Sequence, residues 1–339
     1  MAVTLKKIAE QLDLSAAAVS MAINGKPGVS EETRDLVLRT AEELGYKPNR
    51  MGQSLRLART GAIGVYFPST VLEYSLYFAE VTRGITAGLA DTDLSPVLLP
   101  SALENGDVRD FPSVDGLIIV EPHSDDLGMF ELLRGDTPTV TLDPPPPSAE
   151  RPWGIIESDN AGLVREAFGH LASRGSRLPA LLTVETVSDW TAQVERGYLA
   201  WCAERGIEPA VIRTSVTHSN EEVRQILERA LPSARQPGDA QREREARDGL
   251  FVCGDGFALR IAGVLRSMGL SVGEDVHLVS GVDSTIMQYH TPPISSVDMN
   301  PYAYGVRAAQ MIHRLLKLPE RPSPPSYEVI PAPIIARAT

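Results

Sequence analysis

The sequence predicts a small all-α headpiece followed by an α/β core of two lobes, each built on a doubly wound parallel sheet. Three observations support this prediction. Short amphipathic segments bounded by capping residues fill the first 48 positions. From residue 61 onward, apolar strand-like segments alternate with amphipathic helices, and the alternation starts again after Pro152. With 339 residues, the chain is also too long for one ordinary domain.

Residues 1–48 are predicted to form three helices around one small core. The helical segments are LKKIAEQL, AAAVSMAI and EETRDLVLRTAEEL. Each segment follows a hydroxyl side chain that can accept a hydrogen bond from the first helical turn, namely Thr4, Ser15 and Ser30. Asn24-Gly25 and Gly45 tolerate the left-handed conformation that ends helices. The first two helices, joined by a short connection, are predicted to form a helix-turn-helix pair.

A basic hinge is predicted at residues 49–60. The segment NRMGQSLRLAR is polar and contains Gly52, so it is too weak a helix former to fold unaided. The chain carries a net charge of −12, yet residues 1–59 hold nine basic and seven acidic side chains. Residues 44–72 hold four basic side chains and no acidic one. Positive charge concentrated beside a small domain favours a nucleic-acid partner.

The core is predicted from the alternation of strands and helices, which is typical of βαβ units and a parallel sheet. Its predicted strands are AIGVYF, SPVLLP, DGLIIV, TPTVTL, WGIIES, PALLTV, GLFVCGD, VHLVSGVD and one final strand, YEVIPAPIIA. Helices are predicted around residues 78–90, 161–175, 193–206, 257–269 and 301–317.

Composition and motifs disfavour several other classes of protein. No apolar run approaches the roughly 20 residues that span a bilayer, and the N-terminus lacks the apolar stretch of a secretory signal, so we expect a cytoplasmic protein. Cys202 and Cys253 lack metal-ligand spacing and are expected to be reduced core residues. The six histidines have no neighbours typical of a catalytic triad, and no phosphate-binding G-x-x-x-x-G-K-[ST] loop is present. We therefore expect no enzymatic activity, no cofactor and no bound metal.

The stretch VTLKKIAEQLDLSAAAVSMAINGKPGVSEETRDLVLRTAEELGYKPNR resembles the headpiece of the LacI/GalR family of transcriptional regulators. Similar segments follow along the whole chain: RTGAIGV, LYFAEVTRGI, SDNAGL, VCGDGFAL, GVDSTIMQYHTPPISSVDMNPYAYGVRAAQMI and ARAT. The resemblance implies a core like that of periplasmic binding proteins. It implies residues 61–158 and 294–322 in the first lobe, and residues 159–293 and 323–339 in the second.

The same resemblance implies a homodimeric repressor whose affinity for double-stranded operator DNA is controlled by a small-molecule effector. Activation in place of repression stays open. Two alternatives are a soluble binding protein for sugar-like molecules without a DNA role and a sugar-processing α/β enzyme. The headpiece favours the regulator, since a transport-type binding protein has no use for residues 1–59 and an enzyme would need a catalytic constellation that the sequence does not show.

For DNA binding, the resemblance places the N-terminal part of the second helix in the major groove, and Leu55 as a wedge in the minor groove. The implied contact residues are Thr4, Ser15, Ala16, Ala17, Ser20, Met21, Asn24, Ser30, Thr33, Tyr46, Asn49, Arg50, Leu55 and Arg56. Ala16 and Ala17 stand where family members usually carry polar side chains, and Met21 stands where an Arg is frequent. We therefore expect weaker direct base readout and more reliance on DNA shape, phosphates and the hinge.

For the effector, the resemblance implies a cleft between the lobes, at the carboxyl ends of the strands. The implied lining residues are Tyr77, Phe78, Asp159, Trp190, Val194, Gly254, Asp255 and Asp283. Taken singly, the aromatic residues are equally compatible with a core role, and the aspartates with capping of strand ends. Val194 and Gly254 replace an Arg and an Asn that anchor polar ligands in relatives. We therefore expect an effector less polar or bulkier than a monosaccharide, or no small effector at all.

Overall fold

The computed structural model of the protein describes residues 3–23, 25–46, 59–68, 76–100, 111–184, 188–215, 217–231, 246–254 and 256–339. The chain divides into two compact units, Met1–Thr60 and Gly61–Thr339. Residues 49–58, which make up most of the predicted hinge, lie outside the described residues.

The headpiece contains the three predicted helices, α1 (Leu5–Leu12), α2 (Ala16–Ile23) and α3 (Glu31–Glu43). Each begins at its predicted cap, because a backbone N–H of the first turn donates to the hydroxyl of Thr4 (3.3 Å), Ser15 (3.1 Å) or Ser30 (3.2 Å). The buried core is formed by Ile8, Ala9, Val19, Ala22, Val37 and Ala41. Local capping signals and apolar spacing agree here, which is why the helices follow the prediction closely.

The core unit consists of parallel strands and the helices that connect them. Its strands are β1 (Ala62–Tyr66), β2 (Ser95–Leu98), β3 (Gly116–Val120), β4 (Thr139–Leu142), β5 (Gly154–Ser158), β6 (Pro179–Val184), β7 (Val211–Thr214), β8 (Gly249–Val252), β9 (His277–Ser280), β10 (Ser295–Val297), β11 (Ser326–Ile330) and β12 (Ile334–Ile335). Its helices are α4 (Leu76–Leu89), α5 (Leu127–Arg134), α6 (Asn160–Ser173), α7 (Asp189–Arg205), α8 (Asn220–Ala230), α9 (Phe257–Ser267), α10 (Thr285–Tyr289) and α11 (Pro301–Leu315).

The strands form two six-stranded sheets with corresponding strand orders. The first sheet has the order β11-β5-β4-β3-β1-β2 and the second has the order β12-β10-β9-β8-β6-β7. The neighbouring strands run parallel except for β10 and β12, which are antiparallel. The predicted α/β core of two doubly wound lobes is confirmed.

The predicted final strand, residues 327–336, is wrong as a single element. β11 pairs with β5 in the first sheet, whereas β12 pairs with β10 in the second. Pro331 and Pro333 lie between the two strands and have no N–H to donate to a sheet, so pairing ends and the chain passes from one lobe to the other.

This crossing also changes the predicted lobe boundaries. β10 belongs to the second sheet, although the predicted division assigns residues 294–322 to the first lobe. β11 belongs to the first sheet, although that division assigns residues 323–339 to the second lobe. The chain therefore changes lobe near residues 159, 299 and 332, and the three crossings are adjacent, since the Asp159 N–H donates to the Ile330 carbonyl and the Asp298 N–H to the Pro333 carbonyl.

Apolar periodicity fails to predict α5, β7, α8, α10 and β10, of which three are no longer than five residues. Helix α7 begins four residues before its predicted start, at a capping box formed by Ser188 and Thr191. The prediction of buried, reduced cysteines is confirmed for Cys202 and Cys253.

Helices α4 and α11 cross in the first lobe at two glycines. A Cβ added to Gly84 would lie 2.1 Å from the carbonyl oxygen of Tyr302, and one added to Gly305 would lie 2.1 Å from that of Val81. Both obstacles are backbone atoms in a packed interior, which relax little. In the second lobe, a Cβ on Gly197 would lie 3.0 Å from the Val164 side chain, a looser approach.

Candidate functional site

Helix α2 presents a face of small side chains to solvent. Ser15, Ala16 and Ala17 are exposed, whereas Val19 and Ala22 are buried in the headpiece core. The N-terminal residues assigned to base contacts are therefore on the accessible side of the helix. Small apolar groups on that side fit contacts with thymine methyl groups better than hydrogen bonds to base edges.

Met21 is half-buried and lies over the loop that follows α2. Its sulfur atom would be 3.0 Å from a Cβ added to Gly28, whose φ of +118° is in the region that favours glycine. The Arg34 guanidinium holds the same loop by donating to the carbonyl oxygens of Ala22 (3.2 Å) and Lys26 (2.8 Å). Ser20 is also half-buried, so both residues lie at the border of the exposed face.

The three helix N-termini of the headpiece differ in their charge. The first turns of α1 and α2 contain no acidic residue, whereas the first turn of α3 contains Glu31 and Glu32. Free N–H groups and the helix dipole favour a phosphate at an N-terminus, and two carboxylates oppose it. The arrangement therefore favours DNA phosphates beside Thr4 and Ser15 over Ser30.

Of the other residues assigned to DNA contacts, Thr33 shares a 2.9 Å hydrogen bond with the Ser30 hydroxyl, and Tyr46 is half-buried against the headpiece core. The remaining ones lie outside the described residues, and these are Asn24, Asn49, Arg50, Leu55 and Arg56.

The aromatic and aliphatic residues assigned to the effector cleft are largely buried. Val194 is fully buried in the core of the second lobe, where Trp190 also packs. Phe78 is buried in the first lobe, and its ring meets the ring of Phe67 edge-on at 5.2 Å. Tyr77 is half-buried and packs against the cores of both lobes, so it lies where the lobes meet. Phe78 and Val194 thus fit the alternative of core residues.

The two described aspartates assigned to the cleft are already engaged. Asp159 is exposed and caps α6 by accepting from the Gly162 N–H at 2.9 Å. Asp283 forms an ion pair with Arg337 at 2.7 Å and accepts from the Ser296 hydroxyl. Both therefore fit the alternative of structural caps. Gly254 follows the end of β8 with a φ of +101°, and Asp255 lies outside the described residues.

A set of acidic residues that the sequence prediction missed lies at the carboxyl edge of the first sheet. Glu121 follows β3, Asp143 follows β4, and Glu157 lies near the end of β5. These strands are neighbours in the sheet, so the carboxylates project at successive positions along one edge. An acidic residue directly after an apolar strand, as in GLIIVE and TVTLD, is the signal that could have identified them.

The second lobe meets this edge through the first turns of α7. The Gln193 amide donates to Glu157 at 3.2 Å and also to Asp189, and its carbonyl oxygen accepts from Asn160 at 3.2 Å. A backbone bridge between His123 and Ser188 joins the lobes beside them. The junction of the lobes, where the cleft is expected, therefore carries Glu121, Asp143 and Glu157 on one side and Asp189 on the other.

Burial and the neighbouring carboxylates shift the pKa values of Asp143 and His123. Burial raises the pKa of Asp143 well above its usual range, and the negative charges of Glu121, Glu157 and Asp189 raise it further. Burial disfavours the charged form of His123, but the Glu121 carboxylate, 3.6 Å from its Nε2, raises the pKa of this imidazole overall. Burial and the three neighbouring carboxylates therefore both disfavour the ionised form of Asp143.

Comparison with known proteins places the chain in a family. The profile of the lacI family of bacterial regulatory proteins matches residues 4–49, and that of the periplasmic binding protein-like domain matches residues 168–339, just over half of the chain. The chain belongs to the LacI family of bacterial regulatory proteins. This LacI-family protein is a DNA-binding transcriptional regulator, as its headpiece predicts.

Individual relatives agree with this assignment. The HTH-type transcriptional regulator CelR of Thermobifida fusca is 28% identical over 323 residues, which cover 91% of this chain and 90% of the relative. A solved CelR–cellobiose complex has a TM-score of 0.69 at 24% identity and covers 99% of both chains. The Lac repressor dimer bound to operator and the anti-inducer ONPF has a TM-score of 0.73 at 21% identity, covering 100% of this chain and 99% of that one. The two structures show that the LacI-family regulator shares their fold.

Two further observations concern the described part of this LacI-family regulator. None of its described helices is long and apolar enough to cross a lipid bilayer. Among the described residues, no group of three or more His, Cys, Asp or Glu side chains is arranged to hold a metal ion.

Proposed function

We propose that this regulator is a repressor that recognises its operator through the exposed face of α2. Its affinity for the operator falls or rises when a ligand binds between the core lobes. The observation that carries the proposal is the exposure of Ser15, Ala16 and Ala17 at the start of α2, over a core that buries Val19 and Ala22. A recognition helix needs its N-terminal side chains free to enter the major groove.

Affinity in this proposal comes mainly from backbone contacts and the hinge. The exposed face of α2 offers Ser15 and Ser20 as its hydroxyl groups, so direct readout supplies little discrimination. The N-termini of α1 and α2 bind phosphates, with Thr4 and Ser15 as the flanking hydroxyls. Arg50 and Arg56 add charge beside Leu55, which wedges into the minor groove and bends the duplex. Sequence preference then arises from how easily the operator deforms.

The core is proposed to sense a small molecule in the cleft between the lobes. Tyr77 and Trp190 provide flat apolar walls, and the carboxylates along the edge of the first sheet provide acceptors. Val194 is buried, so the second lobe contributes no polar anchor at that position. Cellobiose, the ligand of the CelR complex, is bulkier than a monosaccharide, in line with the expectation for this cleft.

We propose a homodimer as the active form, as in the solved Lac repressor dimer. Large apolar side chains are exposed on both lobes and available to such an interface: Leu98 on the edge strand β2 is 62% exposed, and Tyr289 on α10 is 77% exposed. Two-fold pairing of headpieces matches a pseudo-palindromic operator. No catalytic role is proposed, in line with relatives that are transcriptional regulators.

The wedge residue provides the test of this proposal. An operator is first enriched from a random duplex pool by the wild-type protein. Leu55→Ala is expected to lower affinity for that operator by roughly tenfold or more, because a kink forms only at the centre of a specific site. Its affinity for random DNA should stay within about threefold, since non-specific binding depends on phosphate contacts.

Leu57→Ala, two residues along the same hinge, is the matched control and should leave the ratio of operator to random affinity unchanged. Fluorescence anisotropy at one fixed salt concentration gives all of these affinities. Equal losses on both DNAs for Leu55→Ala would contradict the wedge and identify Leu55 as a packing residue.

A further inference from the structure

We propose that the cleft of this regulator takes a ligand carrying a protonated amine, held by Glu121, Asp143 and Glu157 of the first lobe and Asp189 of the second. The inference rests on the proposed function, in which this cleft is the effector site, and adds the chemical class of the effector.

Three carboxylates lie on the carboxyl edge of the first sheet. The Glu121 N–H donates to the Leu142 carbonyl at 3.0 Å, and the Asp143 N–H donates to the Ile156 carbonyl at 2.7 Å. These bonds continue the sheet pairing past the ends of β3 and β4, so that each acidic residue is held beside the next strand. Ligands of open α/β sheets bind outside this carboxyl edge.

Little positive charge lies beside these carboxylates in the described residues. Gln193 links Glu157 with Asp189, but an amide carries no charge. Within the described residues, no Lys or Arg forms an ion pair with any of the four carboxylates, and His123 near Glu121 is the nearby group able to take a positive charge. Like charges held together without a cation destabilise the folded core, and a bound cation relieves that cost.

A buried carboxylate oxygen at this edge lacks a hydrogen-bond partner. Oδ1 of Asp143 forms no hydrogen bond with described residues, although the side chain is only 7% exposed. The nearby Tyr304 hydroxyl is affected by the same carboxylate. Burial raises the pKa of Tyr304 well above its usual value, and the negative charge of Asp143 raises it further. A buried polar group without a hydrogen bond destabilises the folded protein, and a ligand that donates to it removes that cost.

These features select the chemistry of the ligand. An ammonium group donates up to three hydrogen bonds and neutralises charge, and aromatic faces such as those of Tyr77 and Trp190 also attract it. A neutral sugar donates hydrogen bonds but leaves the charge uncompensated, and an anionic sugar is repelled. A metal ion is disfavoured by the lack of a metal-binding arrangement among the described residues.

The test compares ligands of matched shape and different charge. Calorimetry with the full chain uses D-glucosamine, D-glucose and D-gluconate as one set, and putrescine and 1,4-butanediol as the other. At least one amine is expected to bind tenfold or more tightly than its neutral counterpart. Asp143→Asn and Glu157→Gln should each weaken amine binding at least tenfold. Glu204→Gln, an exposed carboxylate at the far end of α7, should leave it unchanged.

The outcomes separate this inference from the proposed function. The amine proposal is overturned if a neutral sugar binds as tightly as its amine counterpart. It is also overturned if Asp143→Asn leaves amine affinity unchanged, or if neither amine binds. Operator binding is measured in the same preparation. Wild-type protein that binds its operator and releases it with a neutral sugar refutes the amine and keeps the regulator, whereas protein that binds no DNA refutes the proposed function.

Discussion

The two lobes of the core share one strand order, yet their carboxyl edges carry different chemistry. In the first lobe, Glu121, Asp143 and Glu157 lie at the carboxyl edge with no Lys or Arg ion pair among the described residues, and His123 is the basic side chain beside Glu121. In the second lobe, Asp283 is neutralised by Arg337, and Val194 is buried in the core. One strand order can therefore carry two differently charged edges, because the fold does not determine which side chains follow each strand.

The lobes also differ in how tightly their helices cross, and this gives the largest expected effect. Gly84→Ala places a methyl group 2.1 Å from a backbone oxygen, so the first lobe should lose about 3 kcal/mol or more of unfolding free energy. Gly197→Ala in the second lobe meets only a side chain at 3.0 Å and should lose about 1 kcal/mol. Urea unfolding of both variants measures the difference. Equal losses would mean that the two crossings are equivalent.

Removing the charge of Asp283 should destabilise the second lobe. Asp283→Asn leaves the Arg337 guanidinium, 13% exposed, without its counter-charge, at a cost of about 2 kcal/mol. The control is Glu195→Gln, which breaks the more exposed 2.6 Å pair with Arg213 and should cost under about 1 kcal/mol. Urea unfolding decides this, and an Asp283→Asn protein as stable as wild type would show that the carboxylate is free for a ligand.

An Asp-to-Asn change in the first lobe should raise the free energy of unfolding, and by less than the losses expected above. Asp143→Asn replaces a carboxyl whose ionisation is opposed by burial and by Glu121, Glu157 and Asp189 with a group that stays neutral, and Asn tolerates the φ of 75° at this position. We expect a gain of about 1 kcal/mol at pH 8 in the free protein.

The pH dependence of that gain follows from the direction of the pKa shift. Because the folded pKa of Asp143 lies above its unfolded value, wild-type stability is lost as pH rises through the folded pKa and is recovered below the ordinary range of Asp. The difference between Asp143→Asn and wild type should therefore shrink as the pH is lowered from 8 towards 4. Thermal unfolding across this range measures it, and a difference that grows on acidification would exclude the raised pKa.

The sequence predicts what depends on local signals. The hydroxyl caps at Thr4, Ser15 and Ser30 and the apolar runs of the central strands identify their elements without knowledge of the tertiary structure. The sheet to which a strand belongs depends on distant pairing, so the division of residues 327–336 between two sheets was not predictable from its pattern. The same holds for the site: Asp283 is engaged by Arg337, 54 positions away, and the carboxylates at the ends of β3, β4 and β5 come together only through parallel pairing.

We propose that one unit of this regulator binds DNA while the other binds a ligand, and substitutions on α2 test this division most directly. Anisotropy with the enriched operator compares Ala17→Asp, which adds a negative charge to the exposed face of α2, with Leu38→Asp, which adds the same charge to an exposed position of α3. Ala17→Asp is expected to weaken operator binding by about 3 kcal/mol, roughly 100-fold, through lost contacts and repulsion of phosphates. Leu38→Asp should change it by less than about fivefold. Equal effects of the two variants, or none for Ala17→Asp, would contradict recognition through α2.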